Sequence, residues 1–223
     1  MEKGWGAAVL EKKGIGEGRV DEKEYAKGNS PLKRIDDYEQ FLAAKKVPGW
    51  NGKIILIGQG EGGKIAAALA AKHPEQVLAV ALVSAGGGWP AAEELLASFR
   101  SEMAGNGFSP QYIHSFLVQS REQFEGASLK PSPDYNLFGF SYQYWDGLKQ
   151  LDLLGDLSKI QCPVYYVHGE KDDRIPSESV GFLSENLKDK KNIQMQRIAN
   201  AGREIIQDRA TYSEAASWIK THL

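Results

Sequence analysis

The fold is decided by residues 53–72, which read KIILIGQGEGGKIAAALAAK. The run from Lys53 to Ile57 is apolar without alternation, which is typical of a strand buried on both faces of a parallel sheet. A tight glycine turn follows, and then an alanine-rich helix from about Lys64 to Lys72, which His73 and Pro74 end. The stretch therefore predicts a strand, a turn and a helix in direct succession.

The downstream sequence extends this unit into an α/β fold. A second buried strand is predicted from Val77 to Ser84, which completes a right-handed βαβ unit. A third follows at Val164–Val167, and a fourth at Asn192–Ile198 alternates polar and apolar residues, as expected nearer a sheet edge. Ala210–Leu223 reads as a terminal helix. The prediction is a mostly parallel sheet flanked by helices.

Two segments surround this core in the prediction. Upstream, Ala7–Leu10 reads as a strand that runs into an exposed loop, and Leu32–Lys46 as an amphipathic packing helix. Trp89–Lys159 is mostly helical in pattern and dense in aromatic residues, which predicts an inserted helical cap. The predicted core is therefore residues 1–88 and 160–223, with residues 89–159 as the cap.

Composition narrows the classes of function. The chain has 223 residues, a formal net charge of -2 and no basic stripe, so a nucleic-acid partner is not expected. No apolar run is long enough to span a membrane, and no cofactor or metal motif is recognised. The single cysteine, Cys162, cannot form an internal disulfide and is expected as a small apolar residue at a strand start. Localisation is left open, with the cytoplasm expected if Met1 is the true start.

Three segments together resemble the α/β-hydrolase superfamily. Residues 58–62, GQGEG, resemble the nucleophile elbow Gly-x-Ser-x-Gly of that fold. Residues 168–176, HGEKDDRIP, resemble its acid loop, and residues 200–204, NAGRE, its Gly-His loop before the last helix. Their order along the chain is the family's order. Within the superfamily, the chain is most similar to bacterial serine hydrolases of the acyl-esterase and oligopeptidase-like kind.

The resemblance implies a site in which two of three catalytic positions are substituted. Gly60 stands at the nucleophile position, Asp172 at the acid and Arg203 at the histidine. The backbone N–H of Glu61 would be one oxyanion donor. Glycine offers no nucleophile, and a guanidinium stays protonated and cannot act as a general base. The side chain of Glu61 is expected to point away from the pocket.

The second oxyanion donor of the family follows an earlier strand, and the chain resembles the family only downstream of its first strands. The usual sheet places a further strand between those matched by Ala7 and Lys53. Two alternatives follow: the Ala7 strand pairs directly with the Lys53 strand, or an edge stays unpaired. Such an incomplete edge would allow a dimer.

Three other residues have alternative interpretations near the predicted site. His168, beside the acid loop, is the best candidate for a replacement base, although a half-buried structural histidine is the plainer interpretation. Ser84 lies at the carboxyl edge of the sheet, where a turn-capping hydroxyl is the plainer interpretation. Arg203 would form a salt bridge with Asp172 or, as a sharper hypothesis, bind a carboxylate or phosphate.

Three functions stay open at this point. The first is a non-catalytic α/β-hydrolase relative that binds a small apolar or acyl-type ligand. The second is a fragment or altered form of a serine ester, acyl or peptide hydrolase. The third is an active enzyme with unusual residues, assisted by His168.

Overall fold

A computed structural model describes residues 6–16, 18–44 and 49–223. In chain order its elements are β1 (Ile15–Gly16), β2 (Arg19–Val20), α1 (Glu22–Gly28), α2 (Pro31–Ala44), β3 (Ile54–Gln59), α3 (Glu61–Lys72), β4 (Val77–Val83), α4 (Ala91–Gly105), α5 (Pro110–Leu129), β5 (Asn136–Leu137), β6 (Phe140–Ser141), α6 (Tyr142–Lys149), α7 (Leu153–Lys159), β7 (Val164–Gly169), α8 (Ser177–Leu187), β8 (Ile193–Ile198) and α9 (Arg209–His222). A short 3₁₀ helix, Arg203–Gln207, precedes α9.

The central sheet has four parallel strands in the order β3-β4-β7-β8. Gln59 pairs with Val83, and Val83 pairs with Val167, so the carboxyl ends of three strands meet at one edge. One face of the sheet packs in a core with α3, α7 and α8, and the other packs with α9. The predicted α/β fold with a mostly parallel sheet is confirmed.

Residues 7–10 are the clearest error of the sequence analysis. They form no strand; Val9 is 83% exposed. Arg34, buried in α2, donates hydrogen bonds to the carbonyl oxygens of Leu10, at 2.7 Å, and Glu11, at 3.0 Å. The guanidinium thus takes carbonyl groups that a neighbouring strand would otherwise bond. The apolar residues predicted a strand wrongly, because a short apolar run does not show whether a neighbouring strand is present to pair with it.

The second expected feature that needs correction is the burial of the Lys53–Ile57 strand. In the described residues β3 pairs only with β4, so it is an edge strand, and Ile57 is 64% exposed. Of the two alternatives, the described residues show the unpaired edge. A dimer through this edge stays a prediction.

The helices follow the predicted pattern with shifted bounds. α3 begins at Glu61, directly after the glycine turn, rather than near Lys64. α2 covers the predicted packing helix as far as residue 44, and residues 45 and 46 lie outside the described part of the chain. α1 and the β1–β2 hairpin lie within a segment for which no elements were predicted.

Residues 91–159 fold as four helices and the short β5–β6 hairpin. Aromatic rings hold this region together: Phe124 packs edge-on against Trp145 at 5.0 Å, and Phe99 packs against Phe138 at the same distance. Phe138 has a φ of 48° in the hairpin turn, a conformation that is rare for a bulky residue. Packing among the rings holds it there.

Candidate active site

The backbone at Gly60 makes the sharp turn that the elbow motif predicts, although glycine carries no side chain. Gly60 joins β3 to α3 with φ 53° and ψ −126°, a region that strains other residues. Its N–H donates to the carbonyl oxygen of Val83 at 3.0 Å, which fixes the turn against β4. A Cβ atom on Gly58 would overlap the carbonyl group of Gly62. The glycines therefore allow the close packing of strand on helix that the motif predicts.

The acid loop and the loop before Arg203 lie against each other. The N–H of Lys171 donates to the carbonyl oxygen of Ala201 at 2.8 Å. Asp172 accepts hydrogen bonds at Oδ1 from the N–H groups of Arg174, at 2.9 Å, and Ile175, at 3.3 Å. The carboxylate is thus held by its own loop, with its side chain fully buried.

Arg203 lies close to both Asp172 and Gly60. Its Nη1 lies 3.8 Å from Oδ1 of Asp172, and its side chain is 44% exposed. Its Nη2 lies 3.4 Å from the place where a Cβ atom of residue 60 would stand, and among the described residues no other heavy atom beyond the chain neighbours comes within 4 Å of that place. The structure therefore gathers Gly60, Asp172 and Arg203 at one point, with the guanidinium over the elbow.

Glu61 has its side chain engaged elsewhere. Its carboxylate lies 3.7 Å from Nζ of Lys12. Burial, reinforced by the charge of Glu61, raises the pKa of Tyr144. Tyr144 lies on α6, so the charge of the first residue of the elbow helix acts on the aromatic region. The backbone N–H of Glu61 stays in the first turn of α3, where N–H groups have no partner within the helix.

His168 is placed differently from the expectation of a half-buried residue. Its side chain is completely buried, because β7 runs between β4 and β8 in the sheet. Burial lowers the pKa of His168, and the nearby Asp172 carboxylate acts in the opposite direction. An imidazole sealed in this way has no open path to a ligand over the elbow.

A buried polar group that no sequence pattern predicted lies at the elbow helix; it is called here the polar seam and consists of Lys64, Glu94 and Ser179. Lys64 Nζ lies 3.1 Å from Oε2 of Glu94, with both side chains buried. Ser179 donates from its hydroxyl to Oε1 of Glu94 at 2.8 Å. The seam joins α3, α4 and α8. Lys64, a charged residue within an alanine-rich helix, was the one clue in the sequence.

No cluster of three or more His, Cys, Asp or Glu side chains in residues 6–16, 18–44 and 49–223 could hold a metal ion. None of the helices within these ranges is long and apolar enough to cross a membrane. A shallow cleft of about 440 Å³ lies between β8 and α9, away from the elbow; it is lined by Tyr165, Gln194, Gln196, Glu214, Ser217, Trp218 and Thr221.

Comparison with known families agrees with this geometry. Residues 1–209 match the family of the serine aminopeptidases S33, also called Hydrolase_4. The chain belongs to this α/β-hydrolase family. It is 25% identical over 193 residues to the pimeloyl-[acyl-carrier protein] methyl ester esterase of Aeromonas hydrophila, a match that covers 78% of the chain and 74% of the esterase. The same enzyme of Aeromonas salmonicida matches equally well.

Solved α/β hydrolases share the fold at lower identity. Mouse α/beta hydrolase domain-containing protein 10 superposes with a TM-score of 0.57 at 17% identity, over 94% of this chain and 74% of that one. A lipase-esterase related protein from Clostridium acetobutylicum gives 0.56 at 20% identity, over 96% and 82%. These likenesses establish the α/β-hydrolase fold of the chain.

Proposed function

We propose that this α/β hydrolase binds a small acyl-type ligand at the elbow and does not hydrolyse it. One observation carries the proposal: the guanidinium of Arg203 lies over Gly60, where the fold normally brings a nucleophile and a base together. Glycine cannot attack a carbonyl carbon, and a guanidinium cannot accept the proton. In the serine protease subtilisin, loss of the nucleophile or of the histidine each lowers turnover roughly a million-fold.

The ion pair gives Arg203 a role that needs no catalysis. The carboxylate of Asp172 is buried, and a buried charge without a cationic neighbour would lower the stability of the fold. Arg203 supplies that charge at the place where the family has a histidine. The pair then keeps the two loops together around an elbow that has lost its side chain.

The proposed ligand class depends on the aromatic residues of the helical region 89–159. We propose residues 89–159 as a cap on the core of residues 1–88 and 160–223. The charge of Glu61 acts on Tyr144 of this region, and Phe140, which is 39% exposed, stacks on the ring of Tyr144 at 4.3 Å. Exposed aromatic surface on the proposed cap suits an apolar chain. The Aeromonas relatives are named for a pimeloyl methyl ester, which supports an acyl-type ligand.

Ester hydrolysis provides the test. We expect the wild-type protein to hydrolyse nitrophenyl esters of short and medium acyl chains no faster than buffer alone. Hydrolysis above that background would contradict the proposal, unless it persists equally in Gly60→Val, which would mark a contaminant. If the wild type hydrolysed the esters and both Gly60→Val and His168→Phe lowered that rate, an unusual enzyme assisted by His168 would be the better description.

Ligand binding is tested separately on the same protein. A medium-chain carboxylic acid and its methyl ester would be titrated by calorimetry into wild type, Phe140→Ala and a control, Phe182→Ala. Phe182 is an exposed aromatic residue of α8, outside residues 89–159. We expect weaker binding only in Phe140→Ala. No binding of either probe to the wild type would contradict the ligand class.

A second candidate is an altered form of a serine ester or acyl hydrolase. It is favoured by the elbow backbone, which keeps a strained turn that a binding protein does not require, and by the room for a side chain at residue 60. Its test is the double variant Gly60→Ser, Arg203→His, with Gly60→Ser alone as the control. Turnover of the nitrophenyl esters in the double variant only would support this candidate, and its absence would count against it.

A further inference from the structure

Four buried side-chain atoms have no hydrogen-bond partner among the described protein atoms, and they belong to three neighbouring residues. They are Oγ of Ser84, both ring nitrogens of His168 and Oδ2 of Asp172. Ser84 and His168 follow the register partners Val83 and Val167. The three residues therefore lie at the carboxyl ends of β4 and β7.

Local contacts confirm how close these groups are. The N–H of Ser84 donates to the carbonyl oxygen of Val167 at 2.9 Å, so Ser84 lies beside His168 across the strands. Ser84 has a φ of 45°, an uncommon conformation for a residue other than glycine. The charge of Asp172 reaches the His168 ring. The three residues are thus neighbours at the carboxyl edge of the sheet.

Unpaired buried polar groups are rare in folded proteins, because each costs about 1–3 kcal/mol when it loses its bond to water. Three in one place indicate a shared partner rather than three separate defects. The cations that act on these groups are already engaged, Arg197 with Glu170 and Arg203 with Oδ1 of Asp172. An anion would be repelled by the Asp172 carboxylate.

The chemistry of the three groups defines what that partner must offer. Asp172 only accepts hydrogen bonds, whereas a neutral imidazole donates one and accepts one, and the Ser84 hydroxyl can do both. The partner must donate to the carboxylate and to the bare ring nitrogen while it accepts from the ring N–H or the hydroxyl. Water, with two donors and two acceptors, meets this requirement.

We propose that Ser84, His168 and Asp172 form an internal water site that holds at least one ordered water molecule. Bridging through water would tie the acid loop to the ends of β4 and β7. It would fix the Asp172 carboxylate from behind while Arg203 approaches Oδ1 from the exposed side. The site is independent of whether a ligand binds at the elbow.

Nuclear magnetic resonance on wild-type protein labelled at histidine tests the site directly. We expect a cross-peak between water and the His168 ring protons with the sign of a long-lived complex. His114, which is exposed on α5, serves as the internal control and should show only the sign of short-lived surface water. The Ser84→Ala variant should keep the His168 cross-peak, which excludes transfer from the serine hydroxyl.

A second measurement counts the internal water molecules of the whole protein. Deuteron relaxation dispersion counts long-lived internal waters in the wild type, and we expect the loss of at least one in His168→Phe. A missing water cross-peak at His168 in the wild type would overturn the proposal. So would a high-resolution crystal structure in which His168 bonds Ser84 or Asp172 directly, with no water between them.

Discussion

Two acid–base pairs involve the elbow helix or the turn before it, and they differ in the exposure of the base. Lys64 and Glu94 are buried and lie 3.1 Å apart, with Ser179 as a further partner of the carboxylate. Arg203 and Asp172 lie 3.8 Å apart, and the arginine is nearly half exposed. Both acids are inaccessible to solvent, but only the second has its cation at the surface. The difference therefore lies in the bases.

The contrast shows how position assigns a role to similar chemistry. The Lys64–Glu94 pair joins α3 to α4, so it fastens the first helix after β4 to the elbow helix. The Asp172–Arg203 pair joins the loop after β7 to the loop after β8, and its guanidinium is partly exposed to solvent. Burial makes the first pair a structural element, and exposure leaves the second free to meet another molecule.

The largest expected effect comes from breaking the buried pair. Glu94→Ala leaves the Lys64 ammonium buried without its counter-charge, and we expect the free energy of unfolding to fall by about 3–5 kcal/mol. Urea unfolding followed by circular dichroism measures the change.

Glu93, the adjacent residue on α4, provides the matched control. It pairs with Arg121 at the surface, with Nη2 2.9 Å from Oε2. Glu93→Ala should change the free energy of unfolding by only about 0–1 kcal/mol. Equal losses in Glu93→Ala and Glu94→Ala would show that the contrast between buried and exposed pairs does not govern this molecule.

The second-largest effect is expected at Gly60, which lies next to Arg203 of the exposed pair. A side chain at position 60 must adopt a strained backbone conformation, so we expect Gly60→Ala to lower the free energy of unfolding by about 1–3 kcal/mol. The new Cβ would meet only Nη2 of Arg203, the mobile end of a long side chain, so no further steric penalty is expected.

Gly62 separates backbone strain from a general effect of alanine in this turn. A Cβ there meets nothing within 4 Å, and the residue lies in the first turn of α3. Gly62→Ala should therefore raise the free energy of unfolding by about 0.5–1 kcal/mol. If both variants are stabilised in thermal unfolding, the elbow is not strained at Gly60.

The sequence predicted the parts of the site that depend on local pattern. The continuous apolar runs of β4 and β7 revealed buried parallel strands, and glycine spacing revealed the elbow at Gly60. Motif order then placed Asp172 and Arg203 at neighbouring strand ends, where the structure has them. These features follow from short stretches, because a strand end and the turn after it lie within one motif.

What the sequence did not predict depends on contacts between distant residues. Glu94 lies 30 positions from Lys64, and Tyr144 is still farther from Glu61, so no local pattern links them. The complete burial of His168 follows from strands on both sides of β7. The coil at residues 7–10 reflects carbonyl groups bonded by Arg34, whose partner only the fold reveals.

The smallest expected effect is on the pH dependence of stability, and it comes from His168. Its charged surroundings come from several elements: Asp172, Arg197, Glu94 and Glu170. Burial holds its pKa below the ordinary value of 6.5, so the unfolded chain binds a proton that the folded chain resists. The stability associated with neutral His168 is therefore complete above the ordinary pKa and is lost as the pH falls from about 7 towards 5.

We expect His168→Phe to reduce this acid sensitivity. One histidine can contribute at most about 1.4 kcal/mol per pH unit to the slope, so the variant should show a shallower fall in the free energy of unfolding over that range. His114→Phe, at an exposed position, should keep the wild-type slope. Urea unfolding at a series of pH values compares the three proteins. Identical slopes in all three would mean that His168 takes up its proton in the folded state as readily as in the unfolded chain, and that the carboxylates of the two pairs balance its burial.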